Sequence, residues 1–206
     1  MQGHSMRYEF RLFRQCFESE EQQLRVMGDI ASITESSETY FIGSPPDHAR
    51  NIKIRNNGLE LKRLVDHRQG LERWQPAGQW TLPVSADTAL ELLLPDSDGD
   101  REHDLPAQLD RRELLAFTAR PDIPLYRAEV FKRRFHFVLP ACSAEVDQLL
   151  INGAAIQSLA VESEDPDAVQ DVQAALRIAG RENVSYPRVL SRIMGMSAPP
   201  QVNGHG

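Results

Sequence analysis

The chain has 206 residues, with 23 Lys and Arg against 30 Asp and Glu, a formal net charge of -7 and 41% hydrophobic residues, the composition of an ordinary globular chain of one domain or two tightly joined halves. Its longest apolar runs, such as Leu92-Leu93-Leu94, fall far short of the roughly 20 residues of a membrane-crossing helix, and no basic stretch leading into an apolar one opens it, so neither a membrane span nor a secretory leader is expected. The acidic balance argues against a broad duplex DNA or RNA surface, while Cys16 and Cys142 cannot build a disulfide framework and read as two reduced thiols of a cytoplasmic protein.

Residues 7–13 alternate and predict a first strand with Arg7, Glu9 and Arg11 on one face. A helix is expected over 17–28, anchored by Leu24 and Met27, and a strand over 38–43 that Ser44-Pro45-Pro46 ends. Strands over 51–55 and 59–65 form a hairpin around Asn56-Asn57-Gly58, which places Lys53 and Arg55 on one face and Ile52 and Ile54 on the other. Residues 71–74 continue the sheet, with an extension through Trp80 to Val84. Ser85 and Asp110 are N-caps for helices over 86–94 and 111–119. Strands follow over 128–139, 143–151 and 155–164, the last two joined by the turn Asn152-Gly153. Asp165-Pro166 opens a helix to about Ile178, and Ser185-Tyr186-Pro187 a last one to about Met194. The tail 196–206 carries paired prolines and no apolar period, which predicts disorder. The result is an α+β chain whose strands are mostly antiparallel.

Charge is distributed unevenly. Between 96 and 104 lie Asp96, Asp98, Asp100, Glu102 and Asp104 against the single Arg101, which is four of the seven net negative charges. Pro95, Ser97 and Gly99 mark 95–106 as a solvated acidic loop between two halves. The strand segments, in contrast, are rich in bases. Lys132, Arg134 and His136 share one face and Phe131, Arg133, Phe135 and Phe137 the other. Candidate inward bases are Arg11, Lys53, Arg55, Lys62, Lys132 and Arg134; candidate inward acids are Glu9, Glu60, Glu145, Asp147, Glu162 and Glu164. Such a mixture suits a phosphate chain held by bases, with a hard cation, Mg2+ or Mn2+, held by carboxylates and bridging to the phosphate oxygens. An exposed sheet face with cross-strand ion pairs meets the same spacing. No Gly-rich phosphate loop and no zinc spacing among the six histidines is present.

The joint order of these pairs resembles the CYTH family, the triphosphate tunnel metalloenzymes, over about residues 6 to 195. Ala160 to Val169 is similar to the family's E-x-E strand running into its helix, and Glu182 to Leu190 to its closing segment. Lys132-Arg133-Arg134 is similar to its K-x-R strand, Glu145-Val146-Asp147 to the strand that delivers an inward aspartate, and Lys53-Ile54-Arg55 with Leu61-Lys62 to its N-terminal bases. The resemblance implies a single antiparallel β-barrel tunnel of about eight strands with helices packed outside. It also implies a metal-dependent hydrolase of inorganic triphosphate, short polyphosphate or an organic triphosphate. In it Arg11, Lys53, Arg55, Lys62, Arg73, Lys132 and Arg134 would hold phosphate, Glu9, Glu162 and Glu164 would hold Mg2+ or Mn2+, and Glu145 or Asp147 would act in catalysis. The family's first strand reads E-x-E-x-K, whereas this chain has Arg7-Tyr8-Glu9-Phe10-Arg11. Arg7 reverses the sign of the first position, which weakens a divalent site. The alternative is therefore a catalytically degenerate polyphosphate- or nucleotide-binding module. The partner implied is a small polyanion, and monomer and homodimer are both open.

Overall fold

A computed structural model describes residues 6–95 and 104–196; most of the expected acidic loop and of the expected tail lies outside them. Eight strands close into one antiparallel barrel: β1 (Arg7–Arg14), β2 (Asp29–Gly43), β3 (Arg50–Arg55), β4 (Gly58–Arg68), β5 (Leu71–Thr81), β8 (Leu125–Val138), β9 (Ser143–Ile151) and β10 (Ala154–Ser163). Their order around the barrel is β1-β10-β9-β8-β2-β3-β4-β5, and β6 (Val84–Ser85) pairs with β7 (Gln108–Leu109) as a separate ribbon. The Asn152-Gly153 turn between β9 and β10 has φ of 49° and 87°, a left-handed pair that Asn and Gly tolerate. The sequence places the start of β2 at Glu38, but the strand begins at Asp29, because backbone pairing to β8 runs back to Val138 without an apolar pattern to announce it.

Alternation sorts the side chains. On β1, Tyr8, Phe10 and Leu12 face outward and are buried under α1 (Glu18–Met27) and α4 (Pro166–Ala175), together with Phe17, Leu24, Phe137, Val146 and Val169. On the other flank, Ile52, Ile54, Leu59 and Leu61 are covered by α2 (Ala86–Leu93) and α3 (Arg111–Phe117). Both of these helices start as the sequence predicts: Ser85 accepts from the Thr88 N–H, and Asp110 forms a reciprocal capping box with Glu113. The outward faces are therefore the conventional apolar cores, which leaves the barrel interior to the polar residues between them.

The last helix, α5 (Tyr186–Ile193), behaves differently from the four outside. Its Tyr186, Val189 and Leu190 pack against Tyr40, Ile42, Val130, Leu149 and Ile151, residues in phase with the inward Lys132 and Glu145, so α5 closes one end of the barrel from within. The chain reaches that position through a seam. β1 pairs with β5 only over Arg7, Tyr8 and Glu9, and beyond that point Asn183 and Val184 take up the β1 backbone. The Arg11 N–H donates to Asn183 Oδ1 at 2.9 Å, Asn183 Nδ2 donates to the Glu9 carbonyl at 2.9 Å, and the Val184 N–H donates to the Arg11 carbonyl at 2.9 Å. Among the described residues no helix is long and apolar enough to cross a membrane.

Candidate functional site

The open part of the barrel interior is a cavity of about 240 Å³. Six cations line it, Arg11, Lys53, Arg55, Lys62, Lys132 and Arg134, against three carboxylates, Glu9, Glu145 and Glu162. Period-two alternation puts them there: Arg11 from β1, Lys53 and Arg55 from β3, Lys62 from β4, Lys132 and Arg134 from β8. The structure thus brings to one cavity the predicted phosphate-binding residues other than Arg73. β5 pairs with β1 so that Glu9 faces Glu72 and Tyr8 faces Arg73. Glu72 turns inward at 3% exposure, while Arg73 lies outside, over the Tyr8 ring and 3.9 Å from Asp66.

Asp147 is also displaced from its expected role. It is fully buried behind the cavity wall, where it accepts from Arg134 Nε, Ser158 Oγ and Tyr186 OH, each at 3.2 Å. It holds the bases in place and does not face the cavity. Glu145 does line the cavity, 3.0 Å from Arg134 Nη1 and 3.5 Å from Arg11 Nη2. Tyr186 stacks on Tyr40 with centroids 5.3 Å apart, and Lys132 and Arg11 lie 4.3 Å and 5.0 Å from the Tyr186 ring. These cation–π contacts further restrict where the two charges can sit.

Glu38, the acid at the centre of the network, is not among the inward acids that the strand alternation picks out. It is 1% exposed, 3.0 Å from Lys53 Nζ and 3.7 Å from Lys132 Nζ, and it also accepts from Tyr40 OH. Burial alone would raise its carboxyl, but the attraction of Lys132 and Lys53 and the hydrogen bonds from Tyr40 and Lys53 hold it well below the usual carboxylate range. Its alternation with Tyr40 is the signal that would have found it. Lys53 is pushed down to about 7, chiefly by burial, with Lys132 and Arg55 adding to the effect against the pull of Glu38.

The implied divalent cation tests poorly against these residues. Glu9 is already engaged by Arg11 Nε at 2.8 Å; burial would raise its carboxyl, but Arg11 and Lys62 bring it to about 2. Glu162, its register partner on β10, is raised to about 8 by burial and by the charges of Glu9 and Glu145, and the two side chains share a hydrogen bond. Glu164 lies past the end of β10 and is exposed. Arg7, at the position of the family's first glutamate, is exposed and donates to Ser143 Oγ at 3.2 Å. Among the described residues no group of three or more carboxylate, histidine or cysteine side chains is arranged to hold a metal. The set Glu9, Glu162 and Glu164 is not assembled, and these residues do not fit the ion.

No family model matches the chain, and no curated protein does. Among solved structures it is similar to the PH1012 protein from Pyrococcus horikoshii OT3, with a TM-score of 0.51 at 15% identity over 87% of this chain and 94% of that one. It is also similar to a conserved hypothetical protein from Pyrococcus furiosus (TM-score 0.48, 14% identity, 87% and 96% covered). A third is HpAC1 from Hippeastrum, described as having a dominant triphosphatase activity (TM-score 0.47, 14% identity, 94% and 98% covered). At these identities the likeness is one of fold.

Proposed function

We propose that this chain, a closed antiparallel barrel of the CYTH type, binds the phosphate chain of a small polyanion inside its tunnel, as a binding module and not as a metal-dependent hydrolase. The observation that carries the reading is the lining itself: six cations against three carboxylates around one cavity. At neutral pH Glu162, raised to about 8, contributes little negative charge, and Lys53, at about 7, about half a positive one, so the lining keeps an excess of cations. Guanidinium groups pair with phosphate through two parallel N–H···O bonds, and ammonium groups act as point charges. Arg11 and Arg134 are fixed from behind by Asp147, so little side-chain freedom is lost when a ligand arrives. The cavity lies just under the ~300–1,000 Å³ of sites that enclose drug-sized ligands. That suits a short phosphate chain, with anything larger left at the mouth.

Titration calorimetry with linear tripolyphosphate, in chelator and then in Mn2+, tests the reading. Saturable binding in chelator is expected, weakened at least about tenfold by Lys132→Met or Arg134→Met, as follows from losing one charge-assisted contact. Absence of binding overturns the proposal. Mn2+-dependent phosphate release that disappears in Glu162→Gln overturns the binding-only part in favour of hydrolysis.

A further inference from the structure

Several strands of the barrel run on past the end of one of their ladders, and most of the edges this leaves are covered or blunted. β1 beyond Glu9 has Asn183 and Val184 on its backbone. β5 beyond its pairing with β1 carries Pro76 and Gly78, which extend a ladder poorly. β4 beyond its pairing with β3 is broken by a register shift between Leu64 and Asp66 and carries Asp66 and Arg68. β2 is different. It pairs with β3 only over Glu38 to Phe41, so residues 29–37 are held by β8 alone, and among the described residues no other strand pairs with them. That stretch is exposed apart from the half-buried Ile30 and Ser36. From Ser32 to Ser37 the register with β8 is unbroken, and the run contains no Lys, Arg, Pro or Gly. Its one charge, Glu35, is answered by Arg133 Nε at 3.7 Å. Such an edge presents unpaired N–H and C=O groups to any second strand, and it lacks the devices that ordinarily turn one away.

We infer that this edge is an interface with a second copy of the chain, in which β2 pairs antiparallel with β2 about a two-fold axis at Ile33. A two-fold pairing uses up both edges at once and closes, so it ends at a dimer. The residues themselves select the register. Opposite residues must share a sheet face, so allowed registers differ by steps of two. With Ile33 opposite Ile33, Ser32 meets Thr34 and Glu35 meets the small Ala31, and no like charges oppose each other. One step one way sets Glu35 against Ile33, and the next sets Glu35 against its own copy, which is repulsive. A step the other way runs the ladder into the register break between Ile30 and Ser32. The Ile33 register also extends an apolar strip. Ile33 is 51% exposed and lies beside its β8 partner Phe135, which packs on the core, so pairing covers apolar surface that the single chain leaves open. Charge favours the same face: two chains of net charge -7 repel, and here each meets the other where Arg133 balances Glu35. The inference is independent of any ligand in the tunnel.

Sedimentation equilibrium of the full chain tests it. At about 100 μM, above the Kd of a modest interface, the parent is expected at twice the 23.3 kDa of one chain. Ile33→Lys sets two like charges on the two-fold axis and should return the mass to 23.3 kDa with an unchanged circular dichroism spectrum. A cross-link locates the axis even if that variant fails to fold. In a Cys16→Ser background, which removes the exposed native thiol, Ile33→Cys should join to its own copy in air, because opposite Cα atoms ~4.5–5.5 Å apart lie within disulfide reach. Ser37→Cys should not, since its two copies would stand about eight residues, or ~26 Å, apart along the ladder. A parent of 23.3 kDa at this concentration overturns the inference and leaves the edge to a strand of some other chain. An Ile33→Lys protein that stays dimeric overturns it in favour of another surface. Cross-linking that is absent at Ile33→Cys, or as ready at Ser37→Cys, overturns the two-fold at Ile33.

Discussion

Glu38 is buried to 1% exposure with two lysines, an arginine and a tyrosine hydroxyl around it, and removing its charge alone leaves Lys53 and Lys132 under-compensated in a low dielectric. Breaking a buried pair in this way costs about 3–5 kcal/mol, so Glu38→Gln should lower the urea unfolding free energy by that order. The direction with pH follows from the depressed carboxyl. Its stabilisation is complete above the unfolded carboxylate value, ~4.3, and is lost as pH falls toward the native value. Comparing urea midpoints at pH 7 and pH 3 should show a larger acid loss for the parent than for Glu38→Gln; equal losses would mean that other carboxylates govern the acid limb. The inward bases were legible because Lys53, Arg55, Lys132 and Arg134 alternate with aliphatic or aromatic neighbours. Glu38 was not, since it stood at the supposed start of a strand that in fact extends back to Asp29. Arg73 misleads for a related reason. Glu72 and Arg73 are adjacent and both charged, and only pairing with β1, together with the irregular β4–β5 register, decides which of them turns inward.

At the scale of elements, the caps, the hairpin turns and most strand phases could be read from the sequence, because each depends on two or three neighbouring residues. The position of α5 could not. Its apolar residues announce a buried face, but nothing local distinguishes a helix laid on the outside of a barrel from one set into its end. What places it there is Asn183, whose amide stands in for the missing strand neighbour of β1 by bonding both the Arg11 N–H and the Glu9 carbonyl. Asn183→Ala should therefore cost about 1–3 kcal/mol, since two partly buried backbone groups lose their partners. Asn183→Asp should cost a comparable amount or more, because a carboxylate keeps the acceptor and loses the donor. Thermal unfolding distinguishes this from an ordinary surface substitution, which stays within about 0.5 kcal/mol. Because the bonded backbone groups belong to Glu9 and Arg11, whose side chains line the cavity, the same variants should also loosen tripolyphosphate binding, and an unchanged midpoint would show that the seam is held by other contacts.

Over the whole molecule, the net charge of -7 and a cation-lined interior are compatible because the two are separated in space: six cations line the cavity, and a closed shape keeps them from setting the character of the outer surface. An enclosed cationic cavity makes binding and protonation a single event. Lys53 has a free-state value near 7 against an ordinary 10.5, so the folded chain binds fewer protons than the unfolded one across that interval. Its stability contribution is fully present above about 10.5 and is lost as pH falls to about 7, below which it stays level. A phosphate chain beside Lys53 favours the charged ammonium and raises its value again. At pH 8 tripolyphosphate binding should accordingly take up a substantial fraction of a proton, and near pH 5.5, where Lys53 is already charged, it should contribute none. Calorimetry at pH 8 in two phosphate-free buffers of different ionisation enthalpy measures this directly: the apparent enthalpies should diverge, Lys53→Met should narrow the difference, and Glu162→Gln, which removes the other cavity group titrating near pH 8, should close the rest. Buffer-independent heats in the parent would mean that the ligand does not reach Lys53, and that phosphate, if bound, sits nearer the mouth at Arg55.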